Sequence, residues 1–279
     1  MLNRRELYII RHGERCDQVF GTNKLNWIQA CFDKDGNYNR FDLNLPKENE
    51  IPKRDDWRDF AKDAPLTRLG TFQASITGEE LAESGVNFSY AYCSPSFRCV
   101  QTTHFVLKSM GIEQTVKINI EPGLFEWLGE TYKTGAPNWM SPMQIKNYGF
   151  NVNIDYKPIM NVDKLLECFG ESCVEWYQRS FKIVSSILSS LPSGDNFNEK
   201  GDNVLIVAHG GSMDPLTRML TGKQPNKNGD LADLTPFCGV LRVKCNNDGK
   251  YGIVDPSIRG FKHLSNFVYQ WQQLNEYIE

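Results

Sequence analysis

A chain of 279 residues, 40% hydrophobic and 23% charged, has the apolar content for a substantial core and the balance of an ordinary globular protein. Its formal net charge of -3 excludes a general nucleic-acid binder, whose surface must be basic to meet a phosphate backbone. No apolar stretch has the length of a membrane span, and the apolar run near the N-terminus is too short for a signal peptide, so no membrane partner and a cytoplasmic location are expected.

The first predicted element is a strand over 7–10, Leu-Tyr-Ile-Ile, followed directly by Arg11-His12-Gly13-Glu14-Arg15. Continuous apolar runs of this kind suit strands buried on both faces, as in a parallel sheet covered by helices. Residues 14–65 then follow no sustained period and carry Trp27, Phe32, Tyr38, Phe41 and Trp57 among prolines and glycines. So long a segment reads as an insertion, a lid or a binding wall, with its aromatics used first for packing.

A helix is predicted over 66–84, with Leu69, Phe72, Ile76 and Leu81 as its apolar face and Gly85 as its stop. A strand at 90–93 and a helix over 97–110, with Val100, Phe105 and Leu107 in helical period, lead to a strand at 118–120. Residues 128–170, with Trp139, Pro142, Tyr148 and Tyr156, form a second aperiodic insertion. A helix over 171–191 carries Val174, Tyr177, Phe181, Val184, Ile187 and Leu188 and ends before Pro192. The strand at 204–208, Val-Leu-Ile-Val-Ala, runs into His209-Gly210-Gly211, and segments 238–244 and 251–254 read as a terminal hairpin or edge strands. Strands alternating with helices predict an α/β fold: a doubly wound, mostly parallel central sheet with helices on both faces and long inserted loops. With no linker and no repeat, residues 1–279 read as one domain. The eight cysteines, lacking any CxxC pair, read as free thiols.

Chemistry gathers at the strand ends. His12 and His209 follow near-identical apolar runs, one backed by arginines and the other by glycines. Transfer of a phosphoryl group depends mostly on positioning and charge stabilisation, and arginine suits the task because its planar fork pairs bidentately with phosphate oxygens. Arg11 and Arg15 flank His12, and Arg98 stands in the first turn of the helix after strand 90–93, where backbone N–H groups also favour an anion. In open α/β sheets ligands lie beyond the carboxyl ends of strands, where all these residues fall.

His12 is therefore a candidate nucleophile giving a phosphohistidine, its other ring nitrogen held as N–H by a backbone carbonyl. The neighbouring arginines are expected to lower its pKa by like-charge repulsion. His209 is expected to contact the phosphate from the other side. Glu126 follows strand 118–120 and is the candidate acid for the leaving oxygen and base for the attacking water, with Phe125 and Trp127 excluding water and raising its pKa. Glu14 is its rival by proximity, with a side chain expected to point away.

Other catalytic patterns fail on spacing. Cys93 to Arg98 is one residue short of a cysteine phosphatase loop, no GxSxG elbow accompanies His209-Gly210-Gly211-Ser212, and there is no Walker loop and no HExxH helix.

Arg11-His12-Gly13, Arg98, Glu126 and His209 together resemble the histidine phosphatase superfamily, also called phosphoglycerate-mutase-like. Within it the chain is most similar to the catalytic domains of the suppressor of T-cell receptor signalling proteins and of ecdysteroid-phosphate phosphatase. The segments that carry this are Arg11 to Arg15, Cys31-Phe32-Asp33, Asp63 to Gly70, Ser94 to Thr102, Glu121 to Trp127 and Leu205 to His209, with milder similarity from Pro236 to Phe267. The resemblance implies His12 as nucleophile, Arg11, Arg15, Arg98 and His209 as phosphate ligands, and Glu126 as acid. It implies no metal or organic cofactor, a phosphomonoester substrate such as phosphotyrosine or another aryl or alkyl phosphate, and a homodimer. The signalling proteins carry ubiquitin-associated and SH3 domains ahead of the catalytic part, whereas this chain starts almost at the first strand, so those recruiting modules are not expected here. Gly210-Gly211-Ser212 is also richer in glycine than the family's pattern. A mutase returning the phosphoryl group to a sugar acid, and an idle module binding phosphorylated partners, remain as alternatives.

Overall fold

The structure is a computed structural model that describes residues 5–21, 27–129, 135–192, 202–225, 235–246, 248–256 and 258. Its strands are β1 (Leu7–Arg11), β2 (Phe88–Cys93), β3 (Ile118–Ile120), β4 (Asn203–Ala208), β5 (Val240–Cys245) and β6 (Tyr251–Val254). They form one sheet in the order β3-β2-β4-β1-β5-β6. The first four strands pair in parallel and the last two add an antiparallel edge. A mixed α/β fold with a mostly parallel six-stranded sheet is thus what the alternation predicts.

Period-2 alternation sends successive residues of each strand to opposite faces, and two cores result. On one face Tyr8, Ile10, Leu205 and Val207 pack with Ala74 and Leu81 of α3 (Arg68–Glu83) and with Val100 and Val106 of α4 (Phe97–Ser109). On the other, Leu7, Ile9, Val204 and Ile206 pack with Ile183, Val184 and Ile187 of α7 (Cys173–Ser190) and with Met213 and Leu216 of α8 (Met213–Arg218). Each fully buried aliphatic side chain contributes roughly 1.5–3 kcal/mol relative to exposure.

The predicted face of α3 holds at Leu81, is half-buried at Leu69 and Ile76, and fails at Phe72. Phe72 is 58% exposed, and Gly70, Gln73, Ala74, Thr77 and Gly78 are buried along with Leu81. Small residues bring α3 and α4 so close that a Cβ on Gly78 would lie 2.4 Å from the Val106 carbonyl oxygen. Close approach of backbones, rather than bulk, selects this face.

The first insertion holds α1 (Cys16–Phe20), α2 (Trp27–Cys31) and 3-10 turns at Glu48–Glu50 and Trp57–Ala61. Its aromatics make a small core of their own: Phe32 stacks on Trp57 and Phe60 at 5.3 and 5.8 Å between ring centroids, and Trp27 Nε1 donates to the Phe60 carbonyl at 3.1 Å. The second insertion holds α5 (Pro142–Tyr148), opened by a Ser141/Gln144 capping box and closed by Gly149 at φ 116°, and α6 (Val162–Leu166). The two insertions touch: Lys62 Nζ donates to the Gly135 carbonyl at 3.0 Å, and Asn138 Nδ2 to Asp59 Oδ2 at 2.8 Å. All eight cysteines are free thiols, and no helix among the described residues is long and apolar enough to cross a membrane.

Candidate active site

Strand register builds the site. Arg11 of β1 lies opposite Ala208 of β4 in a parallel pair, so the residues that follow them, His12 and His209, leave the sheet side by side. The His12 amide donates to the Ala208 carbonyl at 3.0 Å, and the two rings sit 5.5 Å apart between centroids. One strand further along, Ser94 follows β2 and its amide donates to the Val207 carbonyl at 3.0 Å.

His12 is only 3% exposed, with Nδ1 2.8 Å from the Gly13 carbonyl oxygen. A carbonyl only accepts, so Nδ1 carries the proton and Nε2 keeps its lone pair. Gly13 is held in turn: its amide donates to Thr102 Oγ1 at 3.1 Å, and Thr102 donates to the Arg98 carbonyl at 2.8 Å. A Cβ on Gly13 would meet the Gly70 carbonyl oxygen at 2.5 Å, so only glycine fits between β1 and α3. The His12 pKa lies well below its ordinary value, first because of burial and then because of Arg98, His209, Arg11 and Arg15. Arginine repulsion, expected as the cause, is the secondary one.

Arg98 is fully buried. Its Nη2 donates to His209 Nδ1 at 3.1 Å and to Glu126 Oε1 at 2.8 Å. A guanidinium has no acceptor, so His209 Nδ1 accepts, and the ring proton on Nε2 goes to Ser94 Oγ at 2.8 Å. Burial drives the His209 pKa down to about 3; Glu126 opposes the shift, while Arg98, Arg15 and Arg11 add to it. Phe125 stands edge-on to His209 at 5.3 Å. Trp127 departs from the expected role of shielding Glu126: it stacks on Trp176 of α7 and donates to the Glu171 carbonyl at 2.8 Å.

His12, His209, Arg98 and Glu126 are thus brought together. Arg11 and Arg15 lie close enough to depress the pKa of both histidines, each engaged by a further group. The Arg11 guanidinium sits over the Phe237 ring, 4.3 Å from its centroid, and Nη1 donates to the Thr235 carbonyl. Arg15 grips Asp17 bidentately at 2.6 and 2.5 Å. Burial raises the Asp17 pKa, but the Arg15 charge and hydrogen bonds outweigh it and hold the carboxyl below its ordinary value. Glu14 is engaged elsewhere, its Oε1 accepting from Thr67 Oγ1 at 2.8 Å and Asn44 Nδ2 at 2.9 Å.

Ser94, Thr102 and Asp17 escape sequence reasoning. Ser94 and Thr102 lie within the Ser94 to Thr102 segment, but a hydroxyl there carries no signal until its histidine or glycine partner is placed. His104 stacks on Phe150 at 4.2 Å, an ordinary packed position, and His263 lies outside the described residues.

Two histidines at neighbouring parallel strand ends, with a buried arginine bonded to one of them, make a candidate site for an anion, and the chain belongs to the histidine phosphatase superfamily (branch 1), matched over residues 54–252. It is 35% identical over 275 residues to an ecdysteroid-phosphate phosphatase of Drosophila melanogaster, covering 97% of this chain and 34% of that protein. It is 37% identical over 277 residues to the ubiquitin-associated and SH3 domain-containing protein B of Homo sapiens, covering 97% of this chain and 40% of that protein. The crystal structure of the Bombyx mori ecdysone phosphate phosphatase in complex with tungstate matches with a TM-score of 0.78 at 29% identity, covering 97% of this chain and all of that one. The chain spans between 34% and 40% of the length of the two curated relatives named.

Proposed function

We propose that this chain, acting as one domain with two insertions, hydrolyses phosphomonoesters through a phosphohistidine on His12. The observation that carries the reading is the Nδ1 bond from His12 to the Gly13 carbonyl, which leaves Nε2 unprotonated beside His209 and Arg98. Nε2 attacks phosphorus, the bond to the leaving oxygen breaks, and Glu126 supplies that oxygen's proton. Water then attacks the phosphohistidine, Glu126 takes up its proton, and phosphate leaves with His12 restored.

Arg98, Arg11 and Arg15 hold the phosphoryl oxygens. A phosphoryl dianion takes over Arg98, so Glu126 shares a proton with the leaving oxygen instead of facing a guanidinium. His209 reaches the phosphate by exchanging tautomers: the Ser94 hydroxyl turns from acceptor to donor towards Nε2, and Nδ1 then carries the ring proton. Relatives named for an ecdysteroid phosphate support a steroid phosphate as substrate, and an aryl phosphate such as phosphotyrosine fits the same chemistry. The free thiols support a reducing, cytoplasmic setting, and the homodimer implied by the family is read by light scattering.

The test is His12→Ala with an aryl phosphate, together with alkaline quenching to trap the phosphoenzyme. A loss of roughly a thousandfold or more and disappearance of the trapped label are expected. Free phosphate release separates a hydrolase from a mutase, and substantial turnover by the variant refutes the mechanism.

A further inference from the structure

We infer that Arg179 is a positioning residue for proton transfer: from α7 it holds the loop that presents Glu126. The inference rests on the reading of Glu126 as the acid and names what aims it. Glu126 lies on irregular chain after the 3-10 turn Pro122–Leu124, with no helix or strand of its own to fix it.

Arg179 comes from α7 and is only 5% exposed. Its Nη1 donates to the carbonyls of Gly123 at 2.8 Å and Phe125 at 2.9 Å, and its Nη2 to the carbonyl of Glu126 at 3.1 Å. The rest of the fork goes to its counterion, Nε to Glu171 Oε2 at 2.9 Å and Nη2 to Glu171 Oε1 at 2.5 Å. All its N–H groups are therefore used, on three loop carbonyls and one carboxylate.

Glu171 completes the clamp, since its Oε1 also accepts from the Leu128 amide at 3.2 Å. The chain on either side of Glu126 is thus tied to one rigid, planar ion pair. Upstream, Glu121 does the same work for the second insertion: its carboxylate accepts from the amides of Gly123, Ile159 and Met160 at 3.0, 2.7 and 3.0 Å. A Cβ on Gly123 would lie 2.5 Å from Ile183 Cδ1, so the loop is seated directly on α7.

None of Arg179's hydrogen bonds reaches His12, His209 or Arg98. With its backbone carbonyl anchored, the Glu126 side chain has only its own torsions with which to reach the site, 2.8 Å from Arg98. Loosening the anchor misplaces the acid while leaving the phosphate seat intact. A leaving group that needs no proton is then spared, and one that needs it is not.

The experiment compares Arg179→Met, Glu126→Gln and the double variant on p-nitrophenyl phosphate and on an alkyl phosphate, with inhibition by inorganic phosphate as the measure of the seat. Arg179→Met is expected to lose about tenfold more kcat on the alkyl ester than on the aryl ester, with the phosphate inhibition constant within about threefold of the parent. Added to Glu126→Gln it should cost little more on the alkyl ester, because the acid is already gone. If Arg179→Met does not fold, Glu171→Gln, which keeps the shape of the clamp and removes its charge, should give the same selective pattern at smaller size. Equal losses on both esters, a weakened phosphate constant, or additive effects in the double variant overturn the inference alone. A Glu126→Gln enzyme that shows no difference between the esters overturns the acid reading and the inference with it.

Discussion

Asp63 caps a helix to which it does not belong: its Oδ1 accepts from the Phe97 amide at 2.8 Å, at the first position of α4, where the local N-cap Ser96 makes no side-chain cap bond. The next residue is Arg98. The other carboxylate oxygen pairs with Arg54 Nη1 at 2.9 Å, and both side chains are buried. The first insertion is therefore wired to the turn that presents the buried arginine of the site.

Asp63→Ala removes that cap and the nearer of the two carboxylates paired with Arg54, leaving Asp59 at 3.9 Å. Breaking a buried pair from one side costs about 3–5 kcal/mol, and with Asp59 still present urea unfolding should show a loss at or below the lower end of that range. Inhibition by inorganic phosphate should weaken in parallel, because Arg98 loses its anchor. Asp63→Asn, which keeps an acceptor for the amide, should lose less on both measures; an unchanged phosphate constant in Asp63→Ala would show that the cap does not govern Arg98.

Ser94→Ala leaves the buried His209 Nε2–H without its acceptor and removes the hydroxyl needed for tautomer exchange. A buried donor left unsatisfied costs about 1–3 kcal/mol, so kcat/KM should fall about tenfold or more. Steady-state kinetics on an aryl phosphate reads this directly. Ser94→Thr, which restores a hydroxyl, should recover much of the loss, and a fully active Ser94→Ala enzyme rules out the relay.

His104 offers a test of acid sensitivity outside the site. Burial against Phe150 lowers its pKa to about 4. Between about 4 and the ordinary value of 6.5 the unfolded chain binds a proton that the folded one refuses, so stability falls as pH drops through that window and is level below it. The ring is only partly buried, which limits the effect to about 1–2 kcal/mol. His104→Phe should flatten that part of the stability curve, seen as a smaller drop in Tm between pH 7 and pH 4. A wild-type slope retained in the variant would assign the acid lability to other groups.

What was legible in the sequence follows from what leaves a local trace. β1 and β4 announce themselves because strands covered on both faces are apolar without a break, and the residues after them are conspicuous for the same reason. The face of α3 was misread because Gly70, Ala74 and Gly78 bury themselves by being small, while Phe72 is large and exposed. The insertions hide their elements, since α1, α2 and α6 are too short for any period to show. Asp63 and Arg179 were illegible for another reason: their targets are backbone atoms 34 and up to 56 residues away, and a peptide group has no sequence identity.

The lateral pairing of Arg11 with Ala208 has a consequence for how the two histidines respond to substitution around them. The spacing of His12 and His209 is set by main-chain hydrogen bonds between adjacent strands, which side-chain replacement leaves untouched. The junction of the two insertions is of the other kind: it rests on the side chains of Lys62, Asn138 and Asp59, and their replacement removes it.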